Sequence, residues 1–151
     1  WLKEKLRNSE AKFKVIASSV PFAEGIKPGS KDPWDGFPEE REELFSFIEN
    51  EKIEGVILIA ADRHRIDLRK IKRKDGYDFF EFVSGRLTNR HIHPVINTKG
   101  LIWGYNKTCG FGLLKFNTRR ENPEVVMEAY DNLGQSIYQR KIFLNELQFK
   151  N

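Results

Sequence analysis

The chain has 151 residues, of which 39% are hydrophobic and 13% aromatic, and its formal net charge is +4. This composition excludes an intrinsically disordered chain, and a chain of this length can bury about 68–70% of its unfolded surface, enough for a hydrophobic core. The sequence contains no run of ~18 apolar residues, which excludes a membrane-spanning helix. The single cysteine, Cys109, excludes an intrachain disulfide and a Cys-based zinc site, and we interpret it as a small buried residue.

The first elements are predicted to alternate between helix and strand. Leu2 and Leu6 have the spacing of an amphipathic helix, and no polar capping residue precedes Trp1. The pattern is typical of a helix that is cut at its start, so we expect the sequence to be a fragment of a longer protein. A strand is predicted over residues 13–18 from their β-branched and aromatic content.

A long loop is predicted over residues 19–37, and we expect it to be ordered because it contains aromatic residues that can be buried. These residues are Phe22, Trp34 and Phe37. Within the loop, Trp34-Asp35-Gly36 is typical of a turn in which the Asp side chain accepts hydrogen bonds from backbone amides. Pro38 then predicts the first turn of a helix. The apolar run at 56–61 is typical of a central strand covered on both faces.

From residue 66 onward the pattern changes to successive strands separated by turn signals. The predicted strands are 66–72, 77–83, 110–116, 124–130 and 136–143. We interpret them as one antiparallel meander. The sequence therefore predicts an α/β fold, with residues 1–151 in a single domain whose second half is this meander.

Asp62 and His64 follow the apolar strand directly. In open α/β sheets ligands collect where strands end, and two residues spaced by two on an extended chain point to the same side. A carboxylate and an imidazole can together bind a divalent or trivalent ion. The residues alone leave an alternative open, in which Asp62 caps the backbone and His64 is a hydrogen-bonded structural residue.

The ordered motifs of the chain resemble the C-terminal portion of alkaline phosphatase D, the family of PhoD-like metallophosphatases. The matching segments are the helix at Trp1-Leu2, the strand at 13–18, the segment 31–41 with Trp34-Asp35-Gly36, the segment Ala61-Asp62-Arg63-His64 with the strand before it, and the stretches 80–88 and 110–114. The family carries Trp-Asp-Gly-Tyr before a helix and Gly-Asp-x-His after a strand. This chain departs from it at Phe37 and Ala61.

The resemblance implies a fold, an activity and a set of ligands. The fold would be the C-terminal part of a metallophosphoesterase-type β-sandwich flanked by helices. The activity would be metal-dependent hydrolysis of phosphate mono- or diesters, with Asp62 as a ligand of Ca²⁺ and His64 as a ligand of Fe³⁺. The family is commonly exported, which implies a secreted or periplasmic location.

The family's other metal ligands lie upstream of the segment that this chain matches. Two ligands cannot hold two ions, so the resemblance implies that this chain alone is inactive and that a missing N-terminal portion would complete the site. Core edges left exposed by that absent portion would favour self-association.

Two neighbouring features have both a functional and a structural interpretation. Arg63 could contact phosphate by forked hydrogen bonds, although on an extended strand end it would point away from Asp62 and His64. His91 and His93 could contact metal or substrate, or could simply lie in an exposed loop.

The stretch from Arg63 to Lys74 holds seven Lys or Arg against one acid, Asp67. It suggests an alternative function, a non-catalytic module that binds nucleic acid or another polyanion. It could equally be a solvated strand and turn, and it lacks aromatic residues for base stacking before Tyr77. A third interpretation is a degenerate family member retained as an interaction domain.

Overall fold

The computed structural model describes residues 1–88 and 90–150. Its helices are α1 (Leu2–Arg7) and α2 (Pro38–Asn50), with short 3-10 turns at Trp34–Gly36 and Leu144–Leu147. Its strands are β1 (Lys14–Ala17), β2 (Val56–Ala60), β3 (Ile66–Ile71), β4 (Phe79–Val83), β5 (Leu101–Tyr105), β6 (Gly110–Asn117), β7 (Glu124–Asp131) and β8 (Ser136–Phe143).

Both predicted helices form. Pro38 is the first residue of α2, where its missing N–H costs no helical hydrogen bond. The helix buries one face through Leu44, Phe45 and Ile48 against the core. Among the described residues, no helix is long and apolar enough to cross a membrane.

Five strands form a mixed sheet in the order β1-β2-β4-β3-β5. β1, β2 and β4 run parallel to one another, whereas β3 is antiparallel to both β4 and β5. β2 lies between two neighbours, and Val56, Ile57 and Leu58 are fully buried, which confirms the prediction of a covered central strand. The carboxyl ends of the three parallel strands meet at one edge of this sheet.

The remaining strands form a second sheet, antiparallel and in the order β6-β7-β8. The single meander predicted for the second half is therefore wrong for β3 and β4, which pair with each other but belong to the mixed sheet. All five residues of β4 are buried, as expected for a strand inside a sheet that is covered on both faces. β5 was not predicted, because Gly104 interrupts a short apolar run.

The two sheets contact each other through aromatic side chains. The rings of Trp103 in β5 and Tyr138 in β8 stack with centroids 4.4 Å apart. At Gly112 in β6, an added Cβ would lie 2.4 Å from a ring carbon of Phe82 in β4, so the sheets approach closely there. Cys109, just before β6, is half-buried rather than fully buried as predicted.

The loop over residues 19–37 is ordered and packs on the mixed sheet, as predicted. Phe22 is buried and stacks on Trp34 with ring centroids 5.0 Å apart. Asp35 accepts a hydrogen bond from the backbone N–H of Gly25 at 2.9 Å, which confirms the predicted role of its side chain. Phe37, in contrast, is 53% exposed.

The carboxyl group of Glu81, in the middle of the mixed sheet, binds the loop over residues 19–37. Glu81 of β4 accepts hydrogen bonds from the backbone N–H groups of Phe22, at 2.5 Å, and Ala23, at 3.1 Å. Glu81 is fully buried, and burial raises its pKa from an ordinary value of 4.5 to about 7. The two amides and the charge of Arg69 oppose this rise, whereas the charge of Asp67 adds to it.

The raised pKa of Glu81 predicts a specific pH dependence of stability. Between the unfolded and folded pKa values the folded chain holds a proton that the unfolded chain has released, so this group loses its stabilising contribution as pH rises. Relative to Glu81→Gln, the free energy of unfolding of the wild type should fall by on the order of 3 kcal/mol from about pH 4 to about pH 8, measured by urea denaturation.

The exposed Glu121 supplies the control for this prediction. Glu121→Gln should leave the pH dependence of the free energy of unfolding unchanged. Equal pH slopes in Glu81→Gln and the wild type would show that Glu81 does not hold the proton.

Candidate functional site: the loop after β2

The candidate site lies at the edge where β1, β2 and β4 end. The loop of residues 61–65 leaves β2 there and leads to β3, which is separated from β2 by β4. Ser18 and Ser84 follow the ends of the two neighbouring parallel strands. The chain must turn sharply in this short loop in order to enter β3 antiparallel to β4.

The backbone of this loop is left-handed at two positions. Asp62 has a φ of 64° and His64 a φ of 45°. The prediction of an extended chain at these residues is therefore wrong, because the tight connection to β3 requires turns. Asp and His are among the residues that adopt positive φ most readily. Ala61 is not among the residues with positive φ, so its methyl group is compatible with the backbone.

The three side chains of Asp62-Arg63-His64 have different environments. Asp62 is exposed, Arg63 is 3% exposed and His64 is half-buried. Asp62 interacts with the side chain of Asp32 in the loop over residues 19–37. A hydrogen bond from Lys27, at 2.9 Å, is the main cause that lowers the pKa of Asp32, and the interaction with Asp62 contributes further.

Asp32 is a residue of the site that sequence reasoning did not single out. It lies in the segment 31–41 that resembles the PhoD-like family, and that position was the available signal. Its contact with Asp62 depends on how the loop folds back, which no local pattern encodes.

The chain contains three histidines, and all three lie together. The ring centroid of His64 is 4.9 Å from that of His93 and 5.7 Å from that of His91, and the latter two are 4.7 Å apart. Burial is the first cause that lowers the pKa of His93, followed by the charges of Arg63 and the other two histidines. The structure thus brings the two loop histidines to the predicted ligand, rather than leaving them apart from it.

Beneath the loop, Asp67 of β3 binds two arginines. Its Oδ2 accepts from Nε of Arg65 at 2.8 Å and from Nε and Nη2 of Arg69 at 3.2 Å. All three side chains are fully buried. A buried charge is costly unless it is paired, so this ion pair network allows β3 to carry charge inside the core.

The same arginines hold both loops that border the site. Arg65 donates to the carbonyl of Ile26 at 3.4 Å. Arg69 donates to the carbonyl of Ile96 at 2.9 Å and to the hydroxyl of Thr98 at 2.7 Å. These bonds fix the segment that carries His91 and His93 against the sheet.

The basic stretch from Arg63 to Lys74 is exposed only in part. Three of its cations are buried: Arg63, Arg65 and Arg69. Arg73 forms ion pairs with Glu42 at 2.6 Å and Glu49 at 2.7 Å. Lys72 and Lys74, at the end of the stretch, are exposed. The solvated strand and turn therefore fits that end alone, and the stretch as a whole does not form a polyanion-binding surface.

The side chains of Asp62 and His64 have donor atoms that suit a metal ion, but two donors are only part of a metal site. They offer an oxygen and a nitrogen donor, which suit hard and intermediate metal ions. Within residues 1–88 and 90–150, no three side chains of His, Cys, Asp or Glu lie close enough together to hold a metal ion. Additional donors would be needed for a stable site.

Comparison with known proteins identifies the class of protein to which this chain belongs. The family model described as PhoD-like phosphatase matches residues 1–134. The chain therefore belongs to the PhoD-like phosphatase family.

Two particular relatives agree with this assignment. Alkaline phosphatase D of Bacillus subtilis (strain 168) is 33% identical over 70 residues, which cover 42% of this chain and 12% of that protein. A solved structure described as the structure of PhoD has a TM-score of 0.52 and 22% identity, over 94% of this chain and 34% of that chain. The chain thus has the fold of a portion of PhoD and spans about a third of its length.

The left-handed backbone at His64 yields a prediction about stability. His64→Ala and His64→Gly both remove the imidazole, but only glycine adopts positive φ without a steric cost. His64→Gly should therefore have a free energy of unfolding higher by about 1 kcal/mol than His64→Ala, measured by urea denaturation.

A helical position provides the matched comparison. At Glu43, exposed on α2, the order should reverse, with glycine about 1 kcal/mol less stable than alanine. If alanine is also the more stable residue at position 64, the left-handed loop is not the conformation in solution.

Proposed function

We propose that this chain supplies the Asp62 and His64 ligands of a metal-dependent phosphatase that hydrolyses phosphate mono- or diesters. The observation that carries the proposal is the position of this pair, at the carboxyl ends of parallel strands in a chain of the PhoD-like phosphatase family. Ligands in open α/β sheets collect at such edges.

In this proposal the two side chains bind different ions. The carboxylate of Asp62 suits Ca²⁺, an ion that prefers oxygen ligands, and the imidazole of His64 suits Fe³⁺. The bound ions would supply the Lewis acidity that phosphate ester hydrolysis requires. Asp62 and His64 act as ligands and not as acid or base.

The surrounding residues hold these ligands in place. Asp32, bound by Lys27, lies against Asp62 and restrains its carboxylate. The ring of His93 packs against that of His64, and Asn106 holds the backbone carbonyl of His93 at 3.0 Å. Such support keeps a ligand near its binding geometry before the ion arrives.

The remaining ligands would come from an N-terminal portion of the phosphatase, and the chain alone would be inactive. An apolar cleft of about 280 Å³ opens beside the site, between the end of β1 and the middle of β6. β1 and β6 are edge strands of their sheets, so further strands could pair with them and complete a sandwich. Without that portion the same edges would favour self-association. A secreted or periplasmic location belongs to the same proposal.

Polyanion binding by the segment from Arg63 to Lys74 is not favoured as the function. Binding of nucleic acid depends on exposed cations that contact phosphates. Arg63, Arg65 and Arg69 are at most 3% exposed.

The proposal predicts separable metal losses in the longest form of the protein that carries these residues. Asp62→Asn should lower the calcium content and leave the iron, whereas His64→Ala should lower the iron, both measured by elemental analysis. Each variant should reduce the hydrolysis rate of an aryl phosphate at least about 100-fold, because ligand loss removes the metal chemistry.

Lys107, exposed on the turn after β5, provides the control substitution. Lys107→Ala should keep both the metal content and the rate. Full metal content and an unchanged rate in His64→Ala would contradict the proposal.

A further inference from the structure

A short segment covers the ends of two parallel strands at the edge of the candidate site. Residues 23–26, here called the covering segment, bury Ala23 and Ile26 in a small hydrophobic cluster. The other members of this cluster are Ala60 and Val83, the last residues of β2 and β4. The cluster is separate from the main core, as is typical of small clusters beneath long loops. The covering segment can therefore leave the strand ends without opening the main core.

Two side chains bind the backbone at the start of this segment. Glu81 of β4 accepts a hydrogen bond from the N–H of Ala23 at 3.1 Å and from that of Phe22, the preceding residue, at 2.5 Å. Arg41 of α2 donates to the carbonyl of Phe22 at 3.0 Å and pairs with the exposed Glu24. Phe22 itself packs in the main core. Phe22 is therefore a fixed point, and the bond between Glu81 and Ala23 ties the start of the covering segment to β4.

The carboxyl group of Glu81 has no ion-pair partner among the described residues. Its neighbours in the sheet are Arg69 of β3 and the apolar Leu58 of β2. The guanidinium group of Arg69 binds Asp67 and not Glu81, and Asp67 also binds Arg65. The charge of Arg69 favours ionisation of Glu81, and that of Asp67 opposes it. A buried carboxylate without a cationic partner is costly, so the closed segment favours the protonated carboxyl group.

The protonation of Glu81 depends on whether the covering segment is closed. Burial raises the pKa of Glu81 from an ordinary value of 4.5 to about 7. Opening the segment admits water to this carboxyl group, which brings its pKa back towards the ordinary value. Between these values the closed form holds a proton that the open form has released, so the closed form is destabilised as pH rises. It is most favoured at acidic pH and least favoured above about pH 7.

We propose that the covering segment is a pH-sensitive cover that opens locally when the carboxyl group of Glu81 ionises. Opening breaks the contacts of this segment alone, including the bond of 3.4 Å from Arg65 to the carbonyl of Ile26, while both sheets stay folded. It uncovers Ala60 and Val83 at the ends of β2 and β4. The event is distinct from unfolding of the whole chain, because segments with few buried contacts open at a lower free energy than the core.

Amide hydrogen exchange, measured by NMR on this chain between about pH 5 and about pH 8, tests this proposal. The opening equilibrium at Ala23, corrected for the pH dependence of intrinsic exchange, should increase at least about tenfold across this range. In Glu81→Gln this increase should be absent, because the amide side chain does not titrate. The amide of Leu58, in the centre of the sheet, should be more strongly protected than that of Ala23 at every pH.

Two further variants separate the role of the carboxyl group from that of packing. Glu10 is exposed, and Glu10→Gln should keep the pH dependence at Ala23, which makes it the matched control. Ile26→Ala keeps Glu81 but removes apolar contacts of the small cluster. It should raise the opening equilibrium at Ala23 at least about tenfold at pH 5.

Equal protection of Ala23 and Leu58 at every pH would show that the segment opens only with the whole chain, and would overturn the inference. The same pH dependence in Glu81→Gln and the wild type would overturn it too, since another group would then be the sensor. If Glu81→Gln does not fold, the wild type and Ile26→Ala decide. A rise with pH at Ala23 in both supports the proposal, and an opening equilibrium that stays constant with pH contradicts it.

Discussion

The carboxylate of Asp67 is the interaction on which the geometry of the candidate site depends. It lies inside the core and binds Arg65 and Arg69, and the free donors of those arginines reach backbone carbonyls in the two loops on either side. Three buried charges, two in β3 and one just before it, would be costly without this pairing. Because the arginines are held, the loop over residues 19–37 and the segment with the histidines are both fixed to the sheet. The buried ion pairs of Asp67 with Arg65 and Arg69 thus hold the two loops that form the surface of the site.

Glu81 holds the loop over residues 19–37 by hydrogen bonds to its backbone and not by an ion pair. Its carboxyl group accepts two backbone N–H groups, and burial raises its pKa to about 7. Near neutral pH the loop is therefore attached by a group that titrates. The loop also carries Asp32, which contacts Asp62. Glu81 thus anchors the beginning of the same loop whose residue Asp32 contacts Asp62.

The sequence predicted the features that depend on local pattern. Pro38 marked the start of α2, and the apolar run at 56–61 marked the central strand β2. It did not predict which strands pair, because pairing of β4 with β2 joins residues far apart in the chain. The exposure of the basic stretch was also misjudged. The pattern of polar and apolar residues along a strand does not show that a charged residue such as Arg69 faces a buried carboxylate. The gathering of His91 and His93 at His64 depends on that same buried network.

The local chain conformation gives Asp62 and His64 different environments within one short loop. An extended chain would place both side chains on one side, in one environment. The left-handed residues instead leave Asp62 exposed and His64 half-buried, with Arg63 buried between them. The exposed carboxylate of Asp62 and the half-buried imidazole of His64 thus offer donors of different chemistry in different environments. Backbone strain of about 1–3 kcal/mol at such residues persists only where the surrounding structure maintains it, and here the packed loops on both sides do so.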